Sequence, residues 1–140
     1  MSSDQSVTST DRWKVFSAAL SVVLVVDVLT KVVVTRKLGP DGDRDSIDVL
    51  SGFLSFSYTR NNGVAFGLLQ GDSAIVWISV FLGLVLGGWF VVSAIESSST
   101  LEIVALGCCA GGAVGNIANR LVSGYVTDFF EVGRWPSFNV

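Results

Sequence analysis

The sequence predicts a membrane all-α bundle of three transmembrane helices, with a small β element on the outer face of the membrane between helices one and two. Three observations lead there. Half of the 140 residues are hydrophobic and only 15% are charged, where a soluble domain carries roughly a quarter; mean hydropathy is +0.61. Apolar runs of about twenty residues recur three times, and a helix of that length, about 30 Å, matches a hydrocarbon core. Between the first two runs the pattern changes from helical to alternating, the period of a strand.

Residues 1–11 are rich in Ser, Thr and Asp, with no apolar period and no basic n-region. They are expected to form a disordered tail, not a cleaved signal. Residues 12–140 then form a single membrane domain. The first helix is expected over about 13–35, where Val15–Val34 is broken only by Asp27 and Lys31. Residues 36–72 form a loop and a β element. Gly39–Asp45 holds Pro40, Gly42 and three Asp, the composition of a turn. Leu54, Phe56 and Tyr58 then alternate with Ser55, Ser57 and Thr59, a half-buried strand that ends at the Asn62-Gly63 turn. Such a strand belongs at the membrane surface, because an open sheet edge inside lipid would leave its backbone unsatisfied. The second helix is expected over about 73–95, uncharged from Ala74 to Ile95, and the third over about 101–122, followed by a surface segment over 123–140.

Composition excludes several functions. Nine Lys+Arg against twelve Asp+Glu give a net charge of −3, which offers no basic surface for nucleic acid. With no His, the His-based catalytic triad and the commonest zinc ligand are missing, so neither metal nor cofactor is expected. Cys108 and Cys109 are adjacent within an apolar run, and neighbours on a helix point in different directions. They are read as packing residues. Charge leaves the orientation open. Arg12 and Lys14 precede helix one, yet the Glu96–Thr100 loop carries no Lys or Arg.

The candidate chemistry lies in polar groups that lipid makes costly. Asp27 and Lys31, spaced i, i+4, share a helix face and are able to pair; a purely structural ion pair is the competing reading. Gly107, Gly111 and Gly115 form a ladder along which another helix can approach closely, with a weaker version at Gly83 and Gly87. Asn116, Asn119 and Arg120 make one polar face at the end of helix three, and Asp128 follows within Val126–Phe129. If the helices alternate in direction, the second half of helix one, the Asn61 turn, Asn116–Arg120 and Asp128 all meet at one membrane face.

These residues resemble a known family. Asp27-x-x-Thr30-Lys31, Asn61-x-Gly63-x-Ala65-Phe66, Gly111-Gly112-Ala113-x-Gly115-Asn116-x-x-Asn119-Arg120, Val126-x-Asp128-Phe129 and Trp135-Pro136-x-Phe138-Asn139 are similar, in order and spacing, to the motifs of lipoprotein signal peptidase (signal peptidase II). The resemblance implies a multi-pass aspartic endopeptidase of the bacterial inner membrane, its active site toward the extracytoplasmic face. It would remove signal peptides from prolipoproteins at the lipid-modified cysteine, acting as a monomer in contact with membrane lipid. It further implies that Asp128 is one member of the catalytic pair and that Asn119 stands where the family has the other Asp. Asp27, Lys31, Asn61, Gly112, Asn116, Arg120 and Asn139 match residues that bind substrate or support the site. Two departures follow: an amide at position 119 cannot share a proton, and the family's Ala-Asp step and fourth helix, beyond the position of Asn139, are missing from the sequence. The expectation is therefore an impaired peptidase. The alternative is a non-catalytic pseudopeptidase that binds lipidated signal peptides; a small channel would fit three helices but leave the five motifs unexplained.

Three apolar runs make the chain an integral membrane protein. Alkaline carbonate extraction is expected to leave it in the membrane pellet, and release into the soluble fraction would refute the assignment.

Overall fold

The computed structural model describes residues 8–42, 46–63 and 73–139. Ala65 and Phe66 of the second motif, and Asp43 and Asp45 of the turn-rich loop, lie outside them. The order of elements is α1 (Ser9–Leu38), β1 (Ser46–Leu50), β2 (Leu54–Asn61), α2 (Ser73–Glu96), α3 (Thr100–Ser123) and β3 (Val126–Val132). All three helices are long and apolar enough to cross a membrane.

α1 is longer than expected at both ends. Thr8 is its N-cap, its hydroxyl accepting the Asp11 N–H, so Ser9–Asp11 are helical and only residues 1–7 of the expected tail lie outside the described residues. At 30 residues it measures about 45 Å, more than a hydrocarbon core. Its last turn therefore reaches the sheet, where Val34 and Leu38 pack on Phe129 with Phe56, Tyr58 and Phe130 around them. The opposite end of the bundle has its own apolar cluster, Phe16, Ala94, Ile103 and Ala110. There the Arg12 guanidinium donates to the Ile95 carbonyl (2.6 Å), joining the start of α1 to the end of α2. Many other large apolar side chains point outward, among them Leu29, Trp77, Phe81, Leu84 and Trp89. A helix that is apolar all round suits a membrane span.

The glycine ladder explains how α1 meets α3. A Cβ on Gly107 would lie 2.7 Å from the Phe16 carbonyl oxygen, and one on Gly111 would lie 2.6 Å from that of Leu20. A Cβ on Gly115 would collide with the Asp27 carboxylate. The contacts advance along both helices together, so α1 and α3 run parallel in near backbone contact. α2 runs antiparallel to α3 across the short Ser97–Ser99 link, where Ser99 caps α3 by accepting the Glu102 N–H. On α2, a Cβ at Gly83 would touch the Ile117 side chain, whereas Gly87 faces open space.

The expected small β element is a three-stranded sheet, in which the strand read over residues 54–59 is the central one. β1, β2 and β3 form an antiparallel sheet in that order. β1 and β2 are joined by a tight turn in which the Phe53 N–H donates to the Leu50 carbonyl (2.9 Å), and Gly52, at φ +73°, takes the left-handed conformation that side chains resist. The third strand comes from beyond α3, so the sheet ties the two ends of the domain together. It caps the end of the bundle where α1 and α3 finish.

Replacing Gly111 by Leu inserts a side chain where a backbone carbonyl stands. Overpacking of this kind costs about 1–3 kcal/mol. Thermal unfolding in detergent is expected to show a lower midpoint or loss of folded protein, and parent-like unfolding would make the ladder incidental.

Candidate functional site

The site is assembled from the buried ion pair outward. Asp27 is fully buried and Lys31 is 4% exposed. The Lys31 ammonium lies 2.8 Å from each Asp27 carboxylate oxygen and also donates to the Asn116 Oδ1 of α3 (2.8 Å). Two charges at this depth persist only when each offsets the other's desolvation. The pair is thus formed as expected, and its third partner fixes the Asn116 side chain.

One turn further along α3, Arg120 donates through Nη2 to the Gly63 carbonyl (3.0 Å) and through Nη1 to the Asn116 carbonyl (3.4 Å). This ties the end of α3 to the turn after β2. In that turn the Asn61 Oδ1 accepts the Gly63 N–H (3.0 Å), an Asx turn that orients the amide. The Asn61 Nδ2 then donates to Asp128 Oδ2 (2.8 Å), and the Asn139 Nδ2 donates to Asp128 Oδ1 (2.5 Å). Asn139 is delivered by a short bridge in which Phe138 exchanges backbone hydrogen bonds with Phe130.

Asp128 is 4% exposed and forms part of the wall of a cavity of about 470 Å³. Asn61, Asn116, Arg120 and Asn139 contribute to the same cavity, which is closed on one side by Ser79, Leu82, Gly83 and Leu86 of α2. Burial pushes the Asp128 carboxyl above the usual Asp range; the Asn61 and Asn139 amides and the Lys31 and Arg120 cations pull in the opposite direction without cancelling it. A buried carboxyl with a raised affinity for protons, in a cleft with convergent polar groups, is suited to acid–base work.

Two of the expected site residues stand apart. Gly112 is half-buried on α3 and is not part of the wall of the Asp128 cavity. Asn119, the expected partner of Asp128, makes no hydrogen bond to it. Its Oδ1 accepts the Thr127 N–H at 3.5 Å, and its side chain lines a second cavity with Lys31, Arg36 and Tyr125. The cavity lining shows the reason: the side chains of Thr127 and Asp128, neighbours on β3, point to opposite faces, and Asn119 shares the second cavity with Thr127, away from the Asp128 carboxylate.

The model of the family described as signal peptidase (SPase) II matches residues 19–140. The chain belongs to the signal peptidase II family. A lipoprotein signal peptidase of Syntrophomonas wolfei is 35% identical over 128 residues, covering 89% of this chain and 80% of that protein. One of Thermodesulfovibrio yellowstonii is 33% identical over 133 residues, covering 91% and 85%. A solved structure described as a bacterial membrane enzyme superposes with a TM-score of 0.72 at 25% identity, covering 87% of this chain and 74% of that one. Signal peptidase II membership thus joins the three spans in making this a membrane peptidase scaffold.

The sequence reading missed the α2 wall and both outer strands. Ser79, Leu82, Gly83 and Leu86 share one face at spacings of three and four, and the small pair Ser79 and Gly83 at that spacing was the available signal.

The raised Asp128 affinity has a definite sign. The fold favours the protonated carboxyl, so its contribution to stability is full below the ordinary Asp range and is lost as pH rises through the raised value. Asn61→Ala removes a bond that favours the carboxylate and is expected to move the titration further up. Carboxyl ¹³C shifts of labelled Asp in detergent test this, and a midpoint at or below the ordinary Asp value would refute it.

Proposed function

We propose that the chain is an aspartic endopeptidase acting on diacylglyceryl-modified prolipoproteins, with Asp128 as a reacting carboxyl group. The observation that carries this reading is the buried Asp128, held at both oxygens by amides in a cavity of mixed polar and apolar wall between α2, α3 and the sheet. Family relatives named as lipoprotein signal peptidases supply the substrate class. The protein would sit in the bacterial inner membrane as a monomer, with the sheet and the cavity at the extracytoplasmic face, where lipidated precursors emerge.

In this reading Asp128 takes a proton from the attacking water while the oxygen adds to the scissile carbonyl. The proton then passes to the departing amine of the lipidated cysteine, and the carbon–nitrogen bond breaks. Asn116 and Arg120 face the same cavity and would hold the peptide backbone. The Leu82 and Leu86 side chains supply an apolar wall for the small and apolar residues of a signal peptide.

Aspartic chemistry uses a second carboxyl group that shares a proton with the first. Asn119 faces away, so the second group has to approach from the side on which Asn139 meets Asp128. In the family an Ala-Asp step follows the position of Asn139, and its carboxyl is the second group in this reading. The amide at position 119 then ceases to be the reason for an impaired enzyme.

The test uses a chain carrying the family's Ala-Asp step and fourth helix, with a lipidated precursor peptide in detergent. Cleavage is expected with Asn119 left in place. Asp128→Asn should lower it by about 10²–10⁴-fold or more. Asn of the Ala-Asp step should do the same, and a further Asn119→Asp should not rescue it. Cleavage that requires Asp at position 119 would return the pair to Asn119 and Asp128.

A further inference from the structure

The second cavity, of about 360 Å³, lies between the outer halves of α1 and α3, on the side of the helix pair away from Asp128. On α1 its wall is the stripe Val28, Val32 and Arg36, each four residues apart, with Thr35 beside it; on α3 it is Asn119 and Ser123, again four apart. Because α1 and α3 run parallel, both stripes lead from the bilayer interior toward the sheet. The groove therefore changes character along its length. Val28 and Val32, 47% and 41% exposed, form its inner, apolar part. Thr35, Arg36, Asn119 and Ser123 form its outer, polar part.

The polar part presents donors. Arg36 lines the cavity and makes no hydrogen bond or ion pair among the described residues. The Asn119 Oδ1 is turned to the Thr127 N–H, which leaves its NH₂ for the groove. Lys31, at the back, is already neutralised by Asp27. Among the described residues no carboxylate lines the cavity, so the charge they give it is that of Arg36. An Asp at position 119, as the family resemblance would place there, would cancel that charge; the amide leaves it standing.

We propose that this groove is a site for an anionic phospholipid, the phosphate on Arg36 and the Asn119 amide and one acyl chain along Val28 and Val32. The apolar stripe argues for a lipid in place of free phosphate, since an inorganic anion has nothing to place there. The inference is independent of the peptidase reading and gives Asn119 a role outside the reaction.

Native mass spectrometry of the chain with equimolar phosphatidylglycerol and phosphatidylcholine tests it. One unneutralised cation at a membrane surface is worth about a fivefold preference, so the parent should retain the phosphatidylglycerol adduct about fivefold over phosphatidylcholine. Arg36→Gln and, separately, Asn119→Asp should bring the ratio near one, while Arg36→Lys and Lys37→Gln keep it. Equal adducts in the parent, an unchanged ratio in Arg36→Gln, or an equal loss in Lys37→Gln (a diffuse surface-charge effect) would overturn the proposal. So would displacement of phosphatidylglycerol by inorganic phosphate, which would make the groove a site for the free anion.

Discussion

The Asp27–Lys31 pair is the constraint on which the rest of the domain depends. Two opposite charges placed within an apolar helix have to meet each other, and the third bond from Lys31 has to find an acceptor. α3 meets both demands at neighbouring positions: Gly115 leaves room for the carboxylate, and Asn116 accepts from the ammonium. These requirements set the register between α1 and α3. They also set how far α3 extends toward the sheet, and hence where Arg120 reaches the Gly63 carbonyl.

The sheet uses that register. Its apolar side is seated on the last turn of α1 through Phe129, which brings β3 over the end of the helix pair. β3 then separates two environments. Asp128 faces the cavity shared with α2, and Thr127 faces Asn119 and the lateral groove. Lys31 and Asn116, bonded to each other, stand between the two, one lining each cavity. A single chain of contacts thus positions both the Asp128 cavity and the groove, and it runs through residues far apart in sequence.

Much of this was legible in the residues. Run length and the absence of charge marked the spans, because a hydrocarbon core imposes both. The four-residue spacing of Asp27 and Lys31 announced their bond, and the glycines announced the close helix. The β sheet was only partly legible. β2 alternates, but β1 is exposed along its whole length and β3 is buried over its first four residues, so neither shows the half-buried period. The same difficulty applies to the placement of Asn119. Its spacing from Asn116 and Arg120 on the helix put it on the polar face, yet which side of β3 that face meets depends on the strand's register against β2, a long-range property that spacing along one helix does not carry.

The two amides on Asp128 carry a consequence for the moment at which the carboxyl gains a proton. Each oxygen faces an N–H, from Asn61 on one and Asn139 on the other, and the Asn61 amide is fixed in that orientation by the Gly63 N–H on its oxygen. A carboxylate satisfies both donors, but a carboxylic acid has a hydrogen on one of its oxygens, and a hydrogen pointed at a donor repels it. Protonation therefore loosens one clasp of the two. Asn61 is pinned through its turn, whereas Asn139 hangs from the short Phe138 bridge, so the yielding side is Asn139. The proton therefore acts first on the Asn139 contact, which is weaker when the carboxyl is protonated and stronger when it is ionised.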